Sequence, residues 1–588
     1  MSESRRGRNT RRALAVAAAS AATLTVAFGG AATGAEIGEP ELISHAADGS
    51  AGNGASLFPS VSEDGRFVAF RSEATNLVPE DTDSDRDIYV RDRQTGAVTL
   101  VSRAGGPAGA KGNRHSYNPR ISANGRFVVF RSNATNLVPE DTDQTEDIYV
   151  RDLQAQQTIL VSRASTAVGP KGNDASTNAV ISGDGRRVAF SSAATNLHPE
   201  DTDSLEDVYL RDLQTNETIL ISRGSGPTGL KGLGPSEFPA ISGDGTRIAF
   251  RSEAPNLAVE DTDTIEDVFL RDISTGETML LSRAAGAGVK GNARSTFVSI
   301  SADGATVAFD SQSSNLHPDD TLPDADVFTR EIATGEVELI SRASGPTGAK
   351  GIPGSSEPSI SGDGRFVAFQ SAASNLDPDD TDGTLDVYIR DRQTYMTEAL
   401  SPALVNPYNR SFEAQIAQDG SLVAFQADAG TAGSGSSVPP SDVFASVSPK
   451  LDRCLGKRAT LVAAADAATK GTTGDDVILG ADGTEEIRSG QGNDRVCAGG
   501  GDDEVKGSGG KDQVKAGGGA DEVTGGGDKD KLDGNGGKDL LDGGSGPDRL
   551  NGGGAKDRCD GGPDTDRLRG CEVDEEEKGK GRGERRRR

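Results

Sequence analysis

The chain has no tryptophan, four histidines and four cysteines, and aromatic residues make up only 4 % of its 588 positions. So few aromatics exclude surfaces built to stack bases or sugars. Four cysteines cannot build a disulfide scaffold. Four histidines (His45, His115, His198 and His317) leave little for a histidine metal site or catalytic group. Positive charge is also in deficit, since 62 Lys and Arg against 91 Asp and Glu give a net charge of −29. Such a chain repels nucleic-acid phosphates and anionic lipid, and cations are its natural partners. No stretch after residue 35 is apolar and long enough to span a membrane.

The N-terminus does carry an apolar run. Five arginines lie in residues 1–12, followed by Ala13–Phe28 and then small residues to Ala35. A charged segment, an apolar segment and a small-residue cleavage site are the features of a signal peptide, with cleavage expected near Ala35. Thr10-Arg11-Arg12 loosely fits a twin-arginine signal. The mature chain is therefore expected to be secreted and extracellular, where cysteines can pair.

A repeat of about 60 residues fills the middle. DGRFVAF at Asp64–Phe70 recurs in variants beginning at Asn124, Asp184, Asp244, Asp303, Asp363 and Asp419. Each copy reads as four short strands, separated by Asp-Gly or Asn-Gly turns that favour hairpins. Four-stranded units at this spacing predict a β-propeller of seven blades over residues 41–450. The seventh copy lacks a fourth strand, and an unmatched strand, Glu41–His45, precedes the first copy. Pairing the two chain ends would close the ring and leave no open sheet edge. Strand parity then puts both long loops of every blade on one face, which is where function is expected.

One of those loops is acidic, NLVPEDTDSDRD at Asn76–Asp87, and returns in the next five blades. Asp81, Asp83 and Asp87 have an alternating spacing suited to Ca²⁺, or to a turn that caps its own backbone. The other long loop carries Lys-Gly, at Lys111, Lys171, Lys231, Lys290 and Lys350. A lysine ring beside an acidic ring could bind a polar partner, or the two loops could bridge each other. Through the S-x-DGRFVAF and DIYVRD runs these blades resemble the TolB-type, WD-repeat-like propellers of exported bacterial proteins. That resemblance implies a protein-binding platform.

From Gly471 the period becomes nine. An acid stands at every ninth position from Asp476 to Asp566, with an apolar residue two further on, Ile478 to Leu568. Glycines permit tight turns and expose carbonyl oxygens, and the apolar residue points into a thin core. The pattern predicts a parallel β-roll over residues 471–571, reached through a linker at 451–470. It resembles the RTX, or hemolysin-type, calcium-binding repeats. The resemblance implies Ca²⁺ as cofactor and a ligand set of Asp476, Asp494, Asp503, Asp512, Asp521, Asp530, Asp539, Asp548, Asp557 and Asp566. Glycines implied in the same turns are Gly490, Gly492, Gly499, Gly501, Gly517, Gly519, Gly544 and Gly546. Glu485 replaces one Asp, while Asp528, Ala555 and Asp564 replace turn glycines. Without cation the close carboxylates repel each other, and the core is too thin to offset chain entropy.

Cys454 and Cys497 flank the start of the roll, and Cys559 and Cys571 bracket its end. Pairs 454–497 and 559–571 are expected, among three possible connectivities. The tail 572–588, an acidic block followed by a basic one, is expected to be disordered.

The sequence therefore predicts an all-β, exported, monomeric calcium-binding protein. Its propeller would dock an extracellular protein or polysaccharide without catalysis. The competing reading is a carbohydrate-active propeller enzyme, a hydrolase or lyase using Asp and Glu. No HExxH, GxSxG or Ser/His/Asp grouping is present, and His198 and His317 occupy the same NLHP position in two blades.

Overall fold

The computed structural model describes residues 40–226, 229–345, 347–377, 380, 383–393, 395–400, 408–429, 441–447, 453–454, 457–458, 461–463, 468–480 and 483–572. The expected signal peptide, the charged tail from residue 573 and blade 7's second–third loop at 430–440 lie outside them. All the described regular structure is β, as the sequence predicts, and no described helix is long and apolar enough to cross a membrane.

Seven four-stranded antiparallel sheets form the propeller. Blade 1 runs Ser56–Val61, Phe67–Ser72, Asp87–Asp92 and Val98–Leu100, hydrogen-bonded in that order. Five more blades repeat it. Blade 7 is Tyr408–Ile416, Leu422–Ala429 and Ser441–Val447, completed by Glu41–Leu42 from the other end of the chain. The ring therefore closes through the expected N-terminal strand. Its regular ladder covers only Glu41↔Ala445 and Leu42↔Phe444. The seam then continues through irregular bonds. Ile43 N donates to Val443 O at 2.8 Å, and Ser44 Oγ donates to Asp442 Oδ1 at 2.8 Å.

The second and third strands of each blade are covered by neighbouring blades on both faces, so their apolar runs need no polar alternation. Val68, Phe70 and Tyr89 of blade 1 pack with Ala424 and Val443 of blade 7 in one core cluster. Phe70 lies opposite Tyr89 across the ladder, ring centroids 5.8 Å apart. An equivalent stacked pair recurs in every blade. Each pair is worth about 0.5–1.5 kcal/mol beyond its buried area.

The C-terminal part is a parallel β-solenoid, two sheets of seven strands each. One turn of chain supplies one strand to each sheet, so partners stand 18 residues apart, as in Val496↔Val514 and Val505↔Val523. The period of nine is thus half a turn. Ile478, Ile487, Val496 and their successors to Leu550 point inward and are almost fully buried. The first strands of the two sheets, Leu461–Val462 and Ala468–Lys470, come from residues ahead of the nine-residue register.

Candidate calcium ladder and the acidic loops

Period-nine aspartates occupy both edges of the solenoid, and each is tied into a ladder by its own carboxylate. Asp494 N donates to Asp512 Oδ1, Asp512 N to Asp530 Oδ1 and Asp530 N to Asp548 Oδ1, at 2.8–2.9 Å. On the other edge Asp503 N donates to Asp521 Oδ1, Asp521 N to Asp539 Oδ1 and Asp539 N to Asp557 Oδ1, at 2.9–3.1 Å. This uses one carboxylate oxygen and leaves the second. In Asp494, Asp503, Asp512, Asp521, Asp530, Asp539, Asp548 and Asp557 the remaining Oδ2 is buried and has no hydrogen-bond partner. A buried carboxylate oxygen with nothing to accept is costly. Burial accordingly pushes the carboxyls of Asp503 and Asp530 up to about 7 and those of Asp512 and Asp539 up to about 6.

Carbonyl oxygens converge on the same places. A methyl group at Gly525 would lie 2.5 Å from Asp530 Oδ2 and 2.8 Å from Gly543 O. At Gly507 it would lie 2.5 Å from both Asp512 Oδ2 and Gly525 O. Each small volume thus holds oxygens of the hard donor type that Ca²⁺ takes. All eight glycines named from the sequence have φ between +87° and +134°. At Gly517 a side chain would also strike Gly499 O at 1.8 Å. The glycines that form the carboxylate cradles, Gly507, Gly525, Gly534, Gly543 and Gly552, were not singled out by sequence. They stand five residues before each Asp, where Ser489, Ala498 and Ala516 show that the position tolerates other small residues.

The ends of the ladder differ. Asp476 Oδ2 accepts Thr472 N at 2.6 Å and Thr472 Oγ1 at 2.9 Å, so it is already engaged. Asp566 is only half-buried and accepts Asp548 N through Oδ1. Glu485 is buried, and its backbone N donates to Asp503 Oδ1. Cys559 and Cys571 form a disulfide. Cys497 is disulfide-bonded as well, and the side chain of its expected partner, Cys454, lies outside the description.

In the propeller Asp81, Asp83 and Asp87 do come together, and a cation of the protein's own lies among them. Lys111 Nζ is 3.6 Å from Asp81 Oδ1, 2.8 Å from Asp83 Oδ1 and 2.7 Å from Asp87 Oδ2. Lys171, Lys231, Lys290 and Lys350 repeat this in the next four blades. The two long loops therefore bridge each other. Desolvation alone would lower the Lys111 ammonium, but its hydrogen bonds to Asp83 and Asp87 outweigh it and hold the proton more tightly than usual. Ser102 Oγ donates to Asp87 Oδ1 at 2.6 Å, and the Tyr89 hydroxyl donates to Asp81. Where Phe replaces that tyrosine, at Phe269, Asp261 Oδ2 is left without a hydrogen bond. A metal at these trios would have to displace an ammonium. His198 and His317 serve as turn acceptors, for Glu200 N at 3.3 Å and Asp319 N at 3.1 Å.

Residues 470–496, 498–532 and 533–568 match the RTX calcium-binding nonapeptide repeat. The C-terminal solenoid is thus similar to RTX repeats over these residues, and the ring before it is a seven-bladed propeller. TolB from Acinetobacter baumannii is 15 % identical over 58 % of this chain, with a TM-score of 0.32, and the chain spans only 62 % of its length. Oligogalacturonate lyase from Vibrio parahaemolyticus is 13 % identical over 68 % of this chain and 90 % of its own, TM-score 0.40. The β-propeller domain of the Trilobed protease from Pyrococcus furiosus is 12 % identical over 64 % and 93 %, TM-score 0.38. No curated protein matches the sequence.

Proposed function

We propose that the chain is an exported calcium-binding protein whose C-terminal roll folds with Ca²⁺ and whose propeller is a non-catalytic platform for an extracellular protein or polysaccharide. The observation that carries the calcium reading is the row of eight buried Oδ2 atoms without partners. Asp494, Asp503, Asp512, Asp521, Asp530, Asp539, Asp548 and Asp557 would hold the ions, with carbonyls such as Gly525 and Gly543 completing the oxygen set. Bound Ca²⁺ supplies positive charge between carboxylates that otherwise repel. Each aspartate would contribute twice, since Oδ1 locks the neighbouring turn and Oδ2 is left to coordinate an ion. Binding and folding are then one free energy, and the roll would order only in calcium-rich surroundings outside the cell.

Export rests on the N-terminal segment 1–35. The platform reading rests on both long loops of each blade sharing one face. The test is calorimetric titration of the full chain with Ca²⁺. The expected result is saturable binding of several ions, with stoichiometry falling in Asp521→Asn and Asp530→Asn. No binding, or unchanged stoichiometry in both variants, would overturn it.

A further inference from the structure

Because strand neighbours in the solenoid stand 18 residues apart, alternate nine-residue units lie on opposite faces, and the two faces differ in charge. In each strand the residues flanking the buried apolar one point outward. One face runs through the strands Gln513–Gly518, Lys531–Gly536, Arg549–Asn551 and Arg567–Arg569. Its outward residues include Lys515, Lys531, Arg549, Arg567 and Arg569, all exposed. The acid among them, Asp533, is half-buried and accepts Asn551 Nδ2 at 2.9 Å. This cationic surface belongs to a chain of net charge −29. Lys531 lies directly beside Arg549, and Arg549 beside Arg567, and like charges in register on neighbouring strands repel.

The opposite face meets the same difficulty with acids and resolves it. Glu486, Glu504 and Glu522 stand in register there. Arg488 and Lys506, two residues further along their strands, pair with Glu486 and Glu504. The ion pair between Lys556 and Glu572 belongs to that sheet too. On the cationic face, among the described residues, no carboxylate comes within ion-pair distance of Lys515, Lys531, Arg549, Arg567 or Arg569. Neighbouring strands are about 4.8 Å apart, so Lys531, Arg549 and Arg567 form a straight row with one cation per strand. Lys515 and Arg569 lie about 7 Å to its side, and the patch is about 14 Å long. Such a narrow strip matches one extended chain rather than a bilayer plane or a duplex. Single-stranded nucleic acid calls for aromatic stacking platforms, and residues 451–588 contain no Phe, Tyr or Trp. Arginine guanidinium holds carboxylate and sulfate oxygens in pairs.

We propose that this face docks a linear acidic polysaccharide, with Lys531, Arg549 and Arg567 on successive carboxylate or sulfate groups and Lys515 and Arg569 flanking them. The chain's overall negative charge does not prevent it, since charges beyond about 8 Å are largely screened at physiological salt. The proposal rests on the calcium reading, because the row exists only in the folded roll. It is independent of what the propeller binds.

The test is calorimetric titration of the full calcium-loaded chain with carboxymethylcellulose and cellulose sulfate, with uncharged hydroxyethylcellulose as control. At least one charged polymer should bind, more weakly as salt rises, and the control should not. Which one binds identifies the acidic group. Lys531→Gln and Arg549→Gln should each weaken binding at least threefold, and Lys515→Gln gives the same reading should either fail to fold. Arg488→Gln and Lys506→Gln, on the opposite face, should change it less than twofold. A chain ending at Glu572, without the basic tail, should still bind. Calcium stoichiometry, measured on every variant, shows that the roll is folded. No binding with that stoichiometry intact, or binding lost with the tail but not with the face variants, would overturn the proposal and leave the calcium reading standing. Equal affinity for oligo(dT) or phosphatidylglycerol vesicles would overturn the choice of partner. Absent calcium binding in the unaltered chain would overturn both readings.

Discussion

Replacing Lys231 by Met removes one ammonium and keeps most of the side chain's packing. Its Nζ lies 2.8 Å from Asp207 Oδ2, 3.0 Å from Asp203 Oδ2 and 3.6 Å from Asp201 Oδ1, and the carboxylates of Asp201 and Asp207 are fully buried. At an effective dielectric of about 20, each of the two nearer pairs attracts by about 6 kcal/mol. Most of that is offset by the desolvation of the lysine and by repulsion among the aspartates. What the variant loses is the net cost of stranding buried carboxylates, about 3–5 kcal/mol. Burial already pushes Asp207 up to about 6 even with Lys231 beside it, and without the lysine it rises further. The deficit should therefore be full at pH 8 and shrink as pH falls and the stranded carboxyls take up protons. Urea unfolding of the propeller, compared with wild type at pH 8 and pH 5, measures this through the midpoint at constant slope. The carboxylate oxygens of the trio lie within 4.8 Å of one another, so millimolar Ca²⁺ should recover more stability in the variant than in wild type. A loss below about 1 kcal/mol, the value of an exposed ion pair, would refute the reasoning.

Three further outcomes are expected. Burial holds Asp442, at the ring seam, up at about 6, so the folded state keeps a proton that the unfolded chain releases near pH 3.9. This contribution is present at low pH and is lost as pH rises through about 6. Asp442→Asn should therefore gain up to about 3 kcal/mol over wild type at pH 7, and the gap should close by pH 4 in urea unfolding. Ala555 holds φ at 87°, which costs a non-glycine residue about 1 kcal/mol or more. Ala555→Gly should stabilise the roll by about that much, read from its thermal midpoint in calcium. The Cys559–Cys571 disulfide spans 12 residues, so Cys571→Ser should cost the roll about 3 kcal/mol, measured the same way under non-reducing conditions.

Much of the architecture was legible because repetition amplifies weak signals. One DGRFVAF run could lie in many folds, but seven at a near-constant spacing, with a spare strand at Glu41, admit a closed ring. The nine-residue register likewise reported both the core residue and the acid in every half-turn. Contacts between repeats were harder to read. That Lys111 reaches back to Asp83 depends on how a loop 28 residues on folds over the preceding blade, so from sequence two adjacent rings of opposite charge favoured bridging without excluding ligand binding. The solenoid's early start at Leu461 was hidden because its first strands precede the Gly-Asp pattern and are recruited by pairing with Ile478 and Ile487.

The central claim is that the roll and its calcium form together. Its core cluster draws only on residues 461–559, so a fragment of residues 453–572 can be followed by circular dichroism as Ca²⁺ is raised from chelated to millimolar, with Mg²⁺ as control. The account predicts a coil-to-β transition with Ca²⁺ alone. A fragment already β-structured in chelator, unchanged by Ca²⁺, or equally responsive to Mg²⁺ would contradict it.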